Sequence, residues 1–131
     1  MARKETTTFL GPQLGLTIVG KHCFAFSGLL PATNGTISSG PTMLNFTSGK
    51  KFLRVRVYYT DTEVGNYGRY VRFLINDTIV MDWVSDGSPP LSTDSAWQFI
   101  IPPNSRFEAI ANINGVTDNM GLMLNGTVHN P

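Results

Sequence analysis

The sequence predicts an all-β protein, an antiparallel β-sandwich of about eight strands with a jelly-roll-like order. Three observations lead there. No window of a dozen residues keeps apolar positions at i, i+3, i+4 and i+7 without a Gly, Pro or β-branched cluster intervening, so no helix is expected. Short segments with two-residue alternation recur along the chain instead. Turn-forming clusters separate them at spacings of roughly ten to fifteen residues, the rhythm of a sandwich or a barrel.

Taken in order, Leu16 to Val19, His22 to Leu29 and Met43 to Thr47 are the first strand candidates. The clearest strand is Phe52 to Tyr59, where Leu53, Val55, Val57 and Tyr59 point one way and Arg54, Arg56 and Tyr58 the other. Arg69 to Ile75 repeats the design with Val71, Phe73 and Ile75 inward. A polar, Gly-containing connector from Asp61 to Gly68 joins the two, and an antiparallel pairing between them is expected. Asn76-Asp77-Thr78 turns the chain tightly into Ile79 to Trp83, a hairpin signal. Ser85 to Asp94 has loop composition. Trp97 to Ile101, ended by Pro102-Pro103-Asn104-Ser105, precedes Arg106 to Ile113 and Met120 to Val128, which an Asn-Gly turn separates. With 131 residues the chain fits one domain. We expect residues 1–10 to form an extended polar arm and residues 11–131 one sandwich.

Composition narrows the function classes. Charged residues make up only 15% of the chain and the net charge is +1, so neither disorder nor a whole-molecule attraction to nucleic acid is expected. A near-neutral surface rich in Thr, Asn and Ser is poorly protected against association, which suits a protein that sits against neighbours. The single cysteine, Cys23, allows no intrachain disulfide and no Cys-based zinc site, and it reads as a small buried hydrophobe. No apolar stretch reaches the length of a membrane span or resembles a secretory leader, so synthesis in a host cytoplasm without secretion is expected. Four Asn-x-Thr triplets, at Asn34, Asn45, Asn76 and Asn125, are then turn chemistry rather than glycan acceptors.

Catalytic chemistry finds little support. His22 and His129 are the only imidazoles, and neither lies in a metal-ligand or nucleophile motif. A His22/Cys23 pair fails because adjacent strand residues point to opposite faces. The carboxylates are scattered: Asp61 and Glu63 share a connector, Asp82 and Asp86 flank Trp83, and all read as solvated loop acids. No catalytic residue, metal site or cofactor is expected.

The one electrostatic concentration is basic: Lys50, Lys51, Arg54, Arg56, Arg69 and Arg72 lie within one short stretch. By alternation Arg54, Arg56, Tyr58, Tyr70 and Arg72 share the outward face of two neighbouring strands. Arg and Tyr on a rigid sheet suit a protein interface, or nucleic acid held by phosphate pairing and stacking; the protein contact is favoured because Arg dominates over Lys and the chain as a whole is not basic. An ordinary solvated sheet face remains the plain alternative. Trp83 and Trp97 suggest a glycan-stacking platform, against which stands their position at strand ends, where they plug the sandwich. The Thr6-Thr7-Thr8-Phe9-Leu10 segment has the β-propensity to add as a strand to a neighbour.

Two stretches carry a resemblance. Ile100-Ile101-Pro102-Pro103-Asn104-Ser105-Arg106-Phe107-Glu108-Ala109-Ile110 runs an apolar strand into a Pro-Pro turn and an alternating strand, and Gly121-Leu122-Met123-Leu124-Asn125-Gly126-Thr127-Val128 closes the chain on Gly-Thr-Val. With the Thr-rich arm and Thr42-Met43-Leu44-Asn45-Phe46-Thr47-Ser48-Gly49, the chain resembles small all-β virion proteins of tailed phages over about half its length. The resemblance implies a non-enzymatic capsid decoration or cement subunit resident in the virion. It further implies assembly as a homo-oligomer, often a trimer, against a major capsid protein or another virion component. A carbohydrate- or receptor-binding module of a tail or fibre is the alternative, and a single-stranded nucleic-acid binder a third.

Overall fold

A computed structural model describes residues 15–62, 67–85 and 96–130. The proposed arm strand, Thr6 to Leu10, lies outside the described residues, as do Glu63, Asp86 and most of the loop before Trp97.

Ten strands and one short 3-10 turn (Ile37–Ser39) account for the ordered backbone among these residues. The strands are β1 (Thr17–Val19), β2 (His22–Phe26), β3 (Leu30–Pro31), β4 (Thr42–Thr47), β5 (Phe52–Asp61), β6 (Arg69–Ile75), β7 (Thr78–Ser85), β8 (Trp97–Ile101), β9 (Arg106–Ile113) and β10 (Asn119–His129). They form two antiparallel sheets. Sheet A has the order β1-β2-β10-β5-β8, with β3 also on β10, and sheet B has the order β4-β9-β6-β7. Apart from the β1–β2 and β6–β7 hairpins and the short β3, each connection carries the chain to the other sheet, which is the winding of a jelly roll.

This winding corrects one expectation. β5 and β6 do not pair: β5 lies between β10 and β8, and β6 between β9 and β7. Each buries one face by the same alternation, a pattern that fits two strands side by side or two strands facing each other across a core. The connector is long enough to step across the roughly 10 Å between packed sheets. Arg54, Arg56 and Tyr58 therefore lie on the opposite outer surface from Tyr70 and Arg72.

The β6–β7 hairpin follows the sequence signal. Asn76 (φ 51°) and Asp77 (φ 66°) both take left-handed conformations between the paired Ile75 and Thr78, the backbone of a type I′ turn. Asn34 (φ 53°) likewise serves a turn, but Asn45 and Asn125 sit inside β4 and β10, so turn chemistry explains only two of the four triplets.

Between the sheets lie Leu53, Val55 and Val57 of β5, Leu122 and Leu124 of β10, Val71 and Phe73 of β6, and Phe107 and Ala109 of β9. Gly126 permits the close approach of β10 to β5, because a Cβ at that position would run into the Arg54 carbonyl and the Val55 backbone. Gly126→Ala is expected to lower stability by about 1–3 kcal/mol, read as a drop in thermal midpoint, because backbone rather than a movable side chain fills the space.

Candidate functional site

The outer faces of the two sheets differ in kind. On sheet A the strand registers build transverse rows. One row runs Val19, His22, Thr127, Arg54, Ile100; the next runs Thr17, Phe24, Asn125, Arg56, Gln98; a third joins Phe26, Met123 and Tyr58. Large apolar side chains stand out of this surface: Phe24, Phe26 and Met123 are each just over 40% exposed and Ile100 is 58% exposed. Phe52 continues the face and stacks on His129 at 5.3 Å.

Its charge is one-sided. Asp61 is the sole acid in the strands of sheet A, and its side chain is buried. Neither the Arg54 nor the Arg56 side chain has an ion-pair or hydrogen-bond partner among the described residues. Arg54, Arg56, Gln98, Asn125 and Thr127 border an open depression of about 310 Å³. A second depression, beside Lys21, brings both histidines to one corner, where His129 Nε2 lies 2.7 Å from Thr127 Oγ1.

Sheet B is neutralised from within. Arg72 donates from Nε and Nη2 to the two carboxylate oxygens of Asp82 at 2.7 and 3.0 Å. These hydrogen bonds, and the guanidinium charge, hold Asp82 below the usual carboxylate range. The pair's contribution is therefore present above the ordinary carboxylate pKa and lost as the pH falls through the lowered one. It is small, because both groups are partly exposed. Arg106 is similarly engaged by Glu108 at 2.9 Å and by the Asn45 side-chain oxygen at 3.2 Å. Tyr70 lies between Val84 and Asn112.

Of the residues singled out in the sequence, the structure thus gathers Arg54, Arg56 and Tyr58 on one face and separates Tyr70 and Arg72 from them. The apolar half, Phe24, Phe26 and Met123, escapes the sequence reading, although a signal exists. If Cys23 is buried, alternation turns Phe24 and Phe26 outward, and burial of the small Cys23 and Ala25 (2% and 1% exposed) is what the structure has.

One further group is placed differently from expectation. Asp61 is no solvated loop acid: with Arg69 it forms an ion pair whose side chains are both fully buried. Arg69 shares the inward parity of Val71 and Phe73, and its Nη1 donates to the Tyr67 carbonyl at 2.9 Å. The Tyr59 hydroxyl donates to Asp61 Oδ2 at 2.6 Å; burial, then the bond and charge of Asp61, push its pKa well above the usual phenol range. The cluster bridges the end of β5 and the start of β6 and ties sheet A to sheet B. Trp83 and Trp97 are half-buried, edge-to-face with each other at 5.5 Å, and packed on Tyr59 and Phe73 respectively.

Among the described residues no group of three or more His, Cys, Asp or Glu is placed to hold a metal ion, and no helix is long and apolar enough to cross a membrane. Cys23 is buried, and desolvation pushes its thiol from 9.0 up to about 11. Because the folded pKa is the raised one, this contribution to stability is complete below pH 9 and is lost as the pH rises toward 11. Native protein at pH 8 is expected to react with Ellman's reagent only at the rate of unfolding, and rapidly once urea exposes the thiol.

No family model matches the chain, and no curated protein is similar to it.

Proposed function

We propose that the protein is a non-enzymatic structural subunit of a virion, a capsid decoration or cement protein that works by docking against the shell and against copies of itself. The observation that carries this reading is the outer face of sheet A. It combines Phe24, Phe26, Tyr58, Met123, Arg54 and Arg56 on a rigid sheet, with no carboxylate among them. Exposed aromatics, Met and Arg with depleted Lys and acids are the composition of a protein interface core, not of a solvated surface. Jelly rolls serve viral shells and lectins alike, so the fold leaves both open. The face favours the first, because both tryptophans offered for sugar stacking give ring surface to internal packing. The resemblance to small phage virion proteins points the same way and implies a homo-oligomer, with a trimer as the arrangement typical of that group.

The test is the particle itself. Particles of the virus that encodes this chain, purified through a density gradient, are expected to carry it in many copies. Particles free of the chain would overturn the reading.

A further inference from the structure

Resting on that reading, we infer that the outer face of sheet A docks on an acidic patch of a different protein, with Arg54 and Arg56 as anchors, rather than on a second copy of this chain. Charge complementarity carries the assignment. The face offers two arginines unpaired among the described residues and no acid to answer them. A second copy has little to supply among its described residues. Asp61 is held with Arg69, Asp82 is taken by Arg72 and Glu108 by Arg106, leaving Asp118 and the largely exposed Asp77. Two copies meeting face to face would also set arginine against arginine.

The apolar side chains decide the class of the anion. Phe24, Phe26, Met123 and Ile100 gain by being covered with apolar surface. A sulfated glycan or a phosphate backbone offers little of that, whereas a protein patch carries carboxylates and apolar side chains together. Arginine suits the carboxylates because its planar fork pairs with them bidentately.

The probes are poly-L-glutamate, a random glutamate–tyrosine copolymer and oligothymidylate, each titrated against the full chain at low and physiological salt. The copolymer is expected to bind more tightly than poly-L-glutamate. Arg54→Gln/Arg56→Gln is expected to weaken both by at least about tenfold. Arg72→Gln/Arg106→Gln is expected to leave them unchanged, and Phe24→Ser/Met123→Ser to abolish the advantage of the copolymer. Far-UV circular dichroism confirms that each variant folds. Oligothymidylate bound more tightly than the copolymer, with the same dependence on Arg54 and Arg56, would overturn the inference in favour of nucleic acid. Concentration-dependent self-association abolished by Phe24→Ser would overturn it in favour of a second copy, and equal losses from the Arg72/Arg106 variant would reduce it to general charge. Particles that incorporate the Arg54/Arg56 variant as well as wild type would sink this inference and leave the proposed function standing; particles lacking the chain would sink the function and leave the binding results intact.

Discussion

Replacing Asp61 by alanine is expected to lower the unfolding free energy by about 3–5 kcal/mol. The reason lies in what is left behind. The Arg69 side chain has no solvent exposure, and its Nε donates to Asp61 Oδ2 at 2.5 Å. Without that carboxylate the buried guanidinium loses a charged partner held against two of its nitrogens, and the Tyr59 hydroxyl loses its acceptor as well. Against a typical total of about 5–15 kcal/mol the loss is a large fraction of the stability. Urea unfolding of Asp61→Ala measures it. The double variant Asp61→Leu/Arg69→Met is expected to regain most of the loss, because apolar side chains of similar volume remove both charges at once. Full recovery is not expected, since the Tyr67 carbonyl loses the Arg69 donor. A single variant within about 1 kcal/mol of wild type would mean that water reaches the pair, as it does at surface ion pairs.

The same pair marks the boundary of what the sequence makes legible. Alternation locates strands and says which side chains turn inward, and it does so along β5, β6, β9 and β10. It even places Arg69 inward, though a lone buried arginine is an improbable reading until its acid partner is known to lie on the strand across the connector. Alternation does not say which strands become neighbours. Phe24 and Met123 share a face only because β2 pairs with β10, and Arg56 meets Gln98 only because β5 pairs with β8. Half of the candidate site, Arg54, Arg56 and Tyr58, sits on one strand and could be read directly. The other half comes from strands far away in the chain and depends on the winding. Arg72 shows the converse: its charge looked available in the sequence, and a cross-strand aspartate on β7 occupies it.

Phe73→Ala is expected to cost about 3–5 kcal/mol and to shift the tryptophan emission to longer wavelength. Phe73 belongs to sheet B and is fully buried, and its ring meets Trp97 at 5.4 Å and Phe99 at 4.7 Å, both from sheet A, and Phe107 at 5.9 Å within its own sheet. Deleting it removes one wall of the contact that holds Trp97 between the sheets, and close-packed neighbours refill such a void only in part. With only two tryptophans in the chain, packed on each other at 5.5 Å, the emission reports on this cluster specifically. Phe73→Leu keeps more of the volume and is expected to lose less stability with a smaller shift. The result bears on function as well as on packing: if the indoles hold the sheets together, Trp97→Ala destabilises the fold to a similar degree. A glycan platform would instead tolerate Trp97→Ala with the fold intact. Unchanged stability and emission in Phe73→Ala would return Trp83 and Trp97 to the surface as candidates for sugar stacking.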